Sequence, residues 1–350
     1  MALVADVKEF AFRALGGVLH PTPLGRRLPA GADGFRVSAR PPRLARSSSP
    51  KFQILVYHRV LPKPDPFAIS SIGAEAFAAQ MEILSRCFRV VSLDALVEEL
   101  DRGGPKPGTV CVTFDDGYRD NHDCAWPILR KHGIPATIYL ATGFIGTGES
   151  TWYDKVLLAM RDARARRLDF EAAGVRGRDL SSSAQRAALA YSLLEWLKGF
   201  APAERDAHIV ALTRALEPAA ARDARCMLDW EEVRAMHKGG IAFGGHTVSH
   251  PILSRIGAAE MEAEIRGSQS AIEVAVQAPV RHFAYPNGKA GDFGPEAEGI
   301  LRRHGFASAV TTLPGVNRPE SSRYQWLRRQ PWDPSVHSFY LRMVLERLAA

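Results

Sequence analysis

Val110-Cys-Val-Thr-Phe-Asp-Asp-Gly-Tyr118 carries an apolar run of strand length into two adjacent carboxylates and a glycine. The run Val110–Phe114 reads as a buried strand, and Asp115 and Asp116 fall where it ends. Neighbouring residues on a strand point to opposite faces, but a turn at the strand end can bring both acids to one rim. Two acids at one site can then divide labour, one binding a metal and the other moving protons. The competing reading is a solvated Asp-Asp-Gly turn.

Working outward, further strand-length runs occur at Ile54–Tyr57, Ala136–Ala141, Ile241–Gly244, His282–Tyr285, Ala307–Thr311 and Trp326–Arg329. Helical patterns lie between most of them, at Ala74–Cys87, Asp94–Leu100, Cys124–His132, Ala258–Val276 and Pro295–His304. Gly133 and Gly305 stand as helix stops. Strand alternating with helix predicts a parallel sheet with right-handed crossovers, and about seven strands favour closure into an α/β barrel. Residues 150–235 are too long for a crossover and strongly helical in composition, so they are expected to form a helical insertion, acting as a lid or a substrate-binding wall.

With 46% hydrophobic and 24% charged residues, the composition is that of a globular chain and excludes disordered and collagen-like classes. The net charge of +7 is spread along the whole chain. Without a basic-aromatic stripe it predicts a solvated basic surface and no nucleic-acid partner. The four cysteines form no CxxC pair, which fits a reducing compartment. Residues 1–51 read as an N-terminal extension and linker. Phe10, Phe12, Leu15, Val18 and Leu19 recur at loosely helical spacing, which suits peripheral membrane contact as well as docking on the main domain. Lys8, Glu9 and Arg13 interrupt any signal-peptide core, so the expected location is the cytoplasm, including the inner face of the membrane.

Three more segments carry chemistry, each at the end of a strand-like run. In His246-Thr-Val-Ser-His250-Pro251 two imidazoles four residues apart would project from one side of a helical turn, a spacing that recurs in divalent-metal sites. With an Asp they make a facial set with open positions, suited to a catalytic Zn²⁺ and also to Ni²⁺, Co²⁺ or Fe²⁺. In Arg281-His-Phe-Ala-Tyr285-Pro-Asn-Gly288 the arginine could clamp a carboxylate, and the turn after Tyr285 could offer a backbone N–H to an oxyanion. In Tyr57-His58-Arg59-Val60 a histidine follows the first strand. Barrel active sites lie on this C-terminal rim.

TFDDG, HTVSHP and RHFAYPNG, in this order, resemble the motifs of the polysaccharide deacetylase family, the NodB homology domain of carbohydrate esterase family 4. The early YHRV segment resembles the permuted branch that includes poly-N-acetylglucosamine deacetylases. The resemblance implies a distorted (β/α) barrel over residues 52–335, followed by a C-terminal helix at 336–350. It implies Asp116, His246 and His250 as metal ligands, Asp115 as general base, and Arg281 as the residue holding Asp115 ionised. It also implies His58 as general acid and the backbone at Tyr285 as an oxyanion contact. The late Leu-x-His motif of the family is missing near His337, which leaves His58 as the acid. The implied reaction is hydrolysis of N-acetyl groups from an N-acetylated glycan, as in chitooligosaccharide or exopolysaccharide deacetylation. Hydrolysis of another C–N amide, such as a formyl group on a lipid-linked sugar or a cyclic amide, and a catalytically silent carbohydrate-binding module are the alternatives.

Overall fold

A computed structural model describes residues 50–219 and 225–349. The expected N-terminal extension lies outside the described residues, apart from its last two positions.

Six parallel strands form the frame: β1 (Gln53–Tyr57), β2 (Thr109–Phe114), β3 (Ala136–Leu140), β4 (Ala242–Gly245), β5 (His282–Ala284) and β6 (Ser308–Val310). They pair in sequence order from β1 to β6. Segment 326–329 then joins the two edges, bridging Val310 through Trp326 and Leu55 through Arg329, both in parallel register. Its backbone hydrogen bonds run to Ala309 and Thr311 on one side and to Ile54 and Val56 on the other. The seven runs read from the sequence thus make a closed ring. Arg89–Val90 adds a short strand beside β2.

The apolar strands are buried on both faces, as a parallel sheet covered by helices requires. Ile54, Cys111, Tyr139, Ala284, Val310 and Trp326 fill the interior of the ring. Outside it, Phe77, Met81 and Leu84 of the Ala74–Cys87 helix and Ile265 and Ile272 of the Ala258–Val276 helix pack onto the strands. Gly133 ends the Trp126–His132 helix in the left-handed conformation. The four cysteines are free. Among the described residues no helix is long and apolar enough to cross a membrane.

The insertion between β3 and β4 contains helices α1 (Trp152–Arg161), α2 (Ser183–Leu197) and α3 (Pro202–Leu216) around a core of their own, including Leu157, Met160, Leu193 and Leu212. The expectation of helices alone needs correction, because an antiparallel hairpin, Arg167–Phe170 with Val175–Asp179, lies between α1 and α2. Leu168 and Phe170 alternate inward with charged neighbours outward, a pattern too short to stand out in a charged stretch. The Trp230–Lys238 helix belongs to the barrel, with Val233 and Met236 in the barrel core.

Candidate active site

Along β2 the inward face continues from Cys111 through Thr113 to Asp115. Asp116 then takes φ +77° and Gly117 φ +86°, so the chain reverses at the strand end and both acids stay on the rim. A side chain at Gly117 would meet Leu140 Cδ2 at 2.6 Å, so the turn requires glycine. The positive φ of Asp116 is backbone strain concentrated where chemistry is placed.

Asp115 is held by Arg328. Its two oxygens accept from the guanidinium at 2.7 and 2.6 Å, and both side chains are buried. Arg328 also donates to Thr113 Oγ1 at 3.2 Å and to the Thr311 carbonyl at 2.7 Å. Burial opposes ionisation of Asp115. The charge and hydrogen bonds of Arg328 outweigh it and hold the carboxyl below its ordinary value.

Asp116 Oδ1 lies 3.4 Å from Nε2 of His246 and 3.4 Å from Nε2 of His250. One ligand atom from each of the three residues falls within 4.8 Å of the others. His246 Nδ1 contacts the Ala284 carbonyl at 2.7 Å, which leaves Nε2 with its lone pair toward Asp116. Asp116 Oδ1 is buried and makes no hydrogen bond, the signature of an oxygen arranged for a cation. The donor set of two imidazoles and one carboxylate with open positions therefore fits a divalent metal such as zinc. Burial opposes the charge on Asp116, a cost that a bound cation would offset.

The HTVSHP segment is a loop, not the expected helical turn. Thr247 and His250 take φ +66° and +57°, which turns both imidazoles toward Asp116. Glu264, from the Ala258–Val276 helix, accepts from the backbone N–H groups of Val248 and Ser249 at 2.7 and 2.8 Å and from Ser249 Oγ at 2.7 Å. On the other side, the N–H of Gly143 donates to the Val248 carbonyl at 2.8 Å.

His58 follows β1 directly and lines the same cleft as Asp115, Asp116, His246 and His250. Its Nδ1 is buried without a partner.

Two sequence expectations are corrected. Arg281 does not hold Asp115. It precedes β5, at the opposite end of the strand from the rim, and its guanidinium pairs with Asp94 at 2.9 Å on the surface. Tyr285 is no oxyanion contact either. Its N–H is donated to the Val310 carbonyl at 3.2 Å and its hydroxyl to the Tyr324 carbonyl at 3.0 Å. Pro286 has no N–H, and the turn residue that lines the cleft is Asn287.

Other residues of the site carry no motif of their own in the sequence. Arg328 lay inside a recognised strand run, where an inward-facing arginine is itself a signal. Tyr153, on α1, packs edge-on against His250 with ring centroids 5.1 Å apart, and its buried hydroxyl has no partner. Burial pushes that phenol well above its usual range. The cleft encloses about 260 Å³.

A parallel barrel with acids and imidazoles gathered on its C-terminal rim is the frame of a barrel enzyme. The family model described as polysaccharide deacetylase matches residues 102–308, and the chain belongs to that family. His58 and Arg328 lie on either side of the matched stretch. Over 43 residues the chain is 51% identical to YxkH of Bacillus subtilis, a match covering 12% of this chain and 15% of that protein's length. Among solved structures, Streptococcus pyogenes deacetylase PplD in complex with acetate is similar over 85% of this chain and 99% of that one, at 18% identity and a TM-score of 0.57. IcaB from Ammonifex degensii is similar over 85% of this chain and 97% of that one, at 20% identity and a TM-score of 0.56. These two likenesses establish a shared fold.

Proposed function

We propose that the protein hydrolyses N-acetyl groups on an amino-sugar glycan of the N-acetylglucosamine type, releasing acetate. The observation that carries this reading is the meeting of two differently held carboxylates in one cleft. Asp115 is locked by Arg328, and Asp116 faces His246 and His250. The family's description and the acetate bound to PplD, a protein of the same fold, support it.

Asp116, His246 and His250 would hold the divalent metal, which supplies Lewis acidity to a water molecule and to the amide carbonyl. Asp115, ionised and fixed in orientation, removes a proton from the attacking water as its oxygen forms a bond to the carbonyl carbon. Arg328 keeps the carboxylate charged and stops it rotating away. The C–N bond then breaks, and His58 gives the nitrogen a proton, so that it leaves as a neutral amine and the acyl group leaves as acetate. Tyr153, packed edge-on against His250, forms an aromatic wall beside this exchange.

The test is acetate release from N-acetylglucosamine oligomers by zinc-loaded protein, with the same protein after chelation as control. Acetate that disappears on chelation and returns with zinc supports the reading. A zinc-loaded protein that releases none from any oligomer contradicts it.

A further inference from the structure

The insertion spans the mouth of the barrel. Its core takes in Phe67, from the loop after β1, while Glu195 on α2 pairs at 3.2 Å with Lys289, from the loop after β5. In the ring β1 and β5 stand nearly opposite, separated by three strands on one side and by β6 and segment 326–329 on the other. The Glu195–Lys289 pair is solvent-exposed and contributes little as a bond. Its meaning is positional, because it marks where the insertion reaches the far rim.

The insertion thus adds a wall over the catalytic rim and narrows the cleft, which stays open to solvent at its mouth. Trp152, Tyr153, Tyr191 and Leu194 face it from the insertion, opposite the acids and imidazoles of the rim. Its volume of about 260 Å³ is below the ~300–1,000 Å³ common for ligand pockets. An open groove would let a polymer pass across the acids with sugars on both sides. A narrowed pocket of this size takes one sugar ring with its acyl group.

We infer that the insertion makes this a pocket enzyme, acting on the terminal sugar of a chain or on a short glycan and not on internal residues of a long polymer. The inference rests on the function proposed above. Tyr191, 38% exposed and lining the cleft, would supply aromatic contact to the sugar entering the pocket. It lies outside the group of residues assigned to bond breaking, so it contributes to binding of substrate and transition state alike.

The experiment uses the full chain loaded with zinc and N-acetylglucosamine oligomers of increasing length, together with a long soluble chitin derivative. The readouts are kcat/KM per substrate molecule and the position of the freed amine by mass spectrometry. The expected result is a terminal amine on every chain, with kcat/KM per molecule roughly constant as internal sugars are added. Internal amines, with kcat/KM rising in step with length, would overturn the inference while leaving the deacetylase reading intact. Absence of acetate at every length would overturn that reading, and this inference with it. Tyr191→Ala is expected to raise KM about two- to tenfold at unchanged kcat, the range of a lost aromatic contact. An unchanged KM would remove Tyr191 from the pocket's binding surface.

Discussion

Arg328 and Asp115 are joined by two hydrogen bonds of 2.7 and 2.6 Å, out of reach of solvent, although 213 positions separate them in the chain. The contact ties the segment that closes the barrel to the strand that carries both rim acids. Removing one member leaves the other charge buried and unpaired, at a cost of about 3–5 kcal/mol. Arg328→Ala is expected to lower the melting temperature sharply and abolish turnover. Arg328→Lys keeps the charge but loses the two-point grip, so turnover falls with a smaller loss of stability. Arg281→Ala, on the surface at the far end of β5, should change stability by no more than ~0.5 kcal/mol and leave acetate release unchanged. Thermal melts and acetate assays on the three variants check this assignment.

Glu264 binds the loop that presents both imidazoles, so its removal should act on the metal before it acts on the fold. Glu264→Ala is expected to weaken zinc binding by roughly 10–100-fold, the usual effect of losing a group that orients metal ligands. Competition with a fluorescent chelator measures it. An unchanged zinc affinity would mean that the loop holds its shape through its other hydrogen bonds, such as that from the Gly143 N–H to the Val248 carbonyl.

His58→Ala should keep zinc and lose turnover on the order of 10²–10⁴-fold, as expected for a general acid. A substrate whose leaving group needs no proton should recover most of the rate in this variant. If the loss is the same for both kinds of leaving group, His58 is not the proton donor.

Asp154, on α1, is fully buried and accepts from Tyr118 Oη at 2.9 Å and Thr151 Oγ1 at 2.7 Å. Burial pushes its carboxyl up to about 6. Between the ordinary carboxylate value of ~3.9 and about 6, the folded chain therefore keeps a proton that the unfolded chain releases. The stability this supplies is complete below the unfolded value and is lost as pH rises through 6, a change on the order of 3 kcal/mol. Melting temperatures of wild type and Asp154→Asn from pH 4 to 7 test it. Wild type should lose stability relative to the variant across this interval, and a constant difference would show that Asp154 is not protonated when folded.

Much of the frame was legible because buried parallel strands are written as unbroken apolar runs, and all seven runs fall in the ring. Asp115, Asp116, His246 and His250 were legible because each pair is carried by a contiguous motif at a strand end. Arg328 was hidden, since its partner is set by ring closure and no local spacing encodes that. The same geometry explains the Arg281 expectation: only the strand's direction reveals that this residue enters at the wrong end. Tyr153, Tyr191 and Glu195 come from the insertion, and their position over the cleft depends on how the insertion packs across the mouth.

The division of labour between two neighbouring acids is the centre of this account. Zinc titration of wild type, Asp115→Asn and Asp116→Ala, with acetate release measured on the same samples, tests it most directly. Asp115→Asn should bind one equivalent of zinc and lose turnover by roughly 10²–10⁴-fold, while Asp116→Ala should lose zinc and turnover together. Loss of zinc from Asp115→Asn, or full zinc binding and turnover in Asp116→Ala, would contradict it.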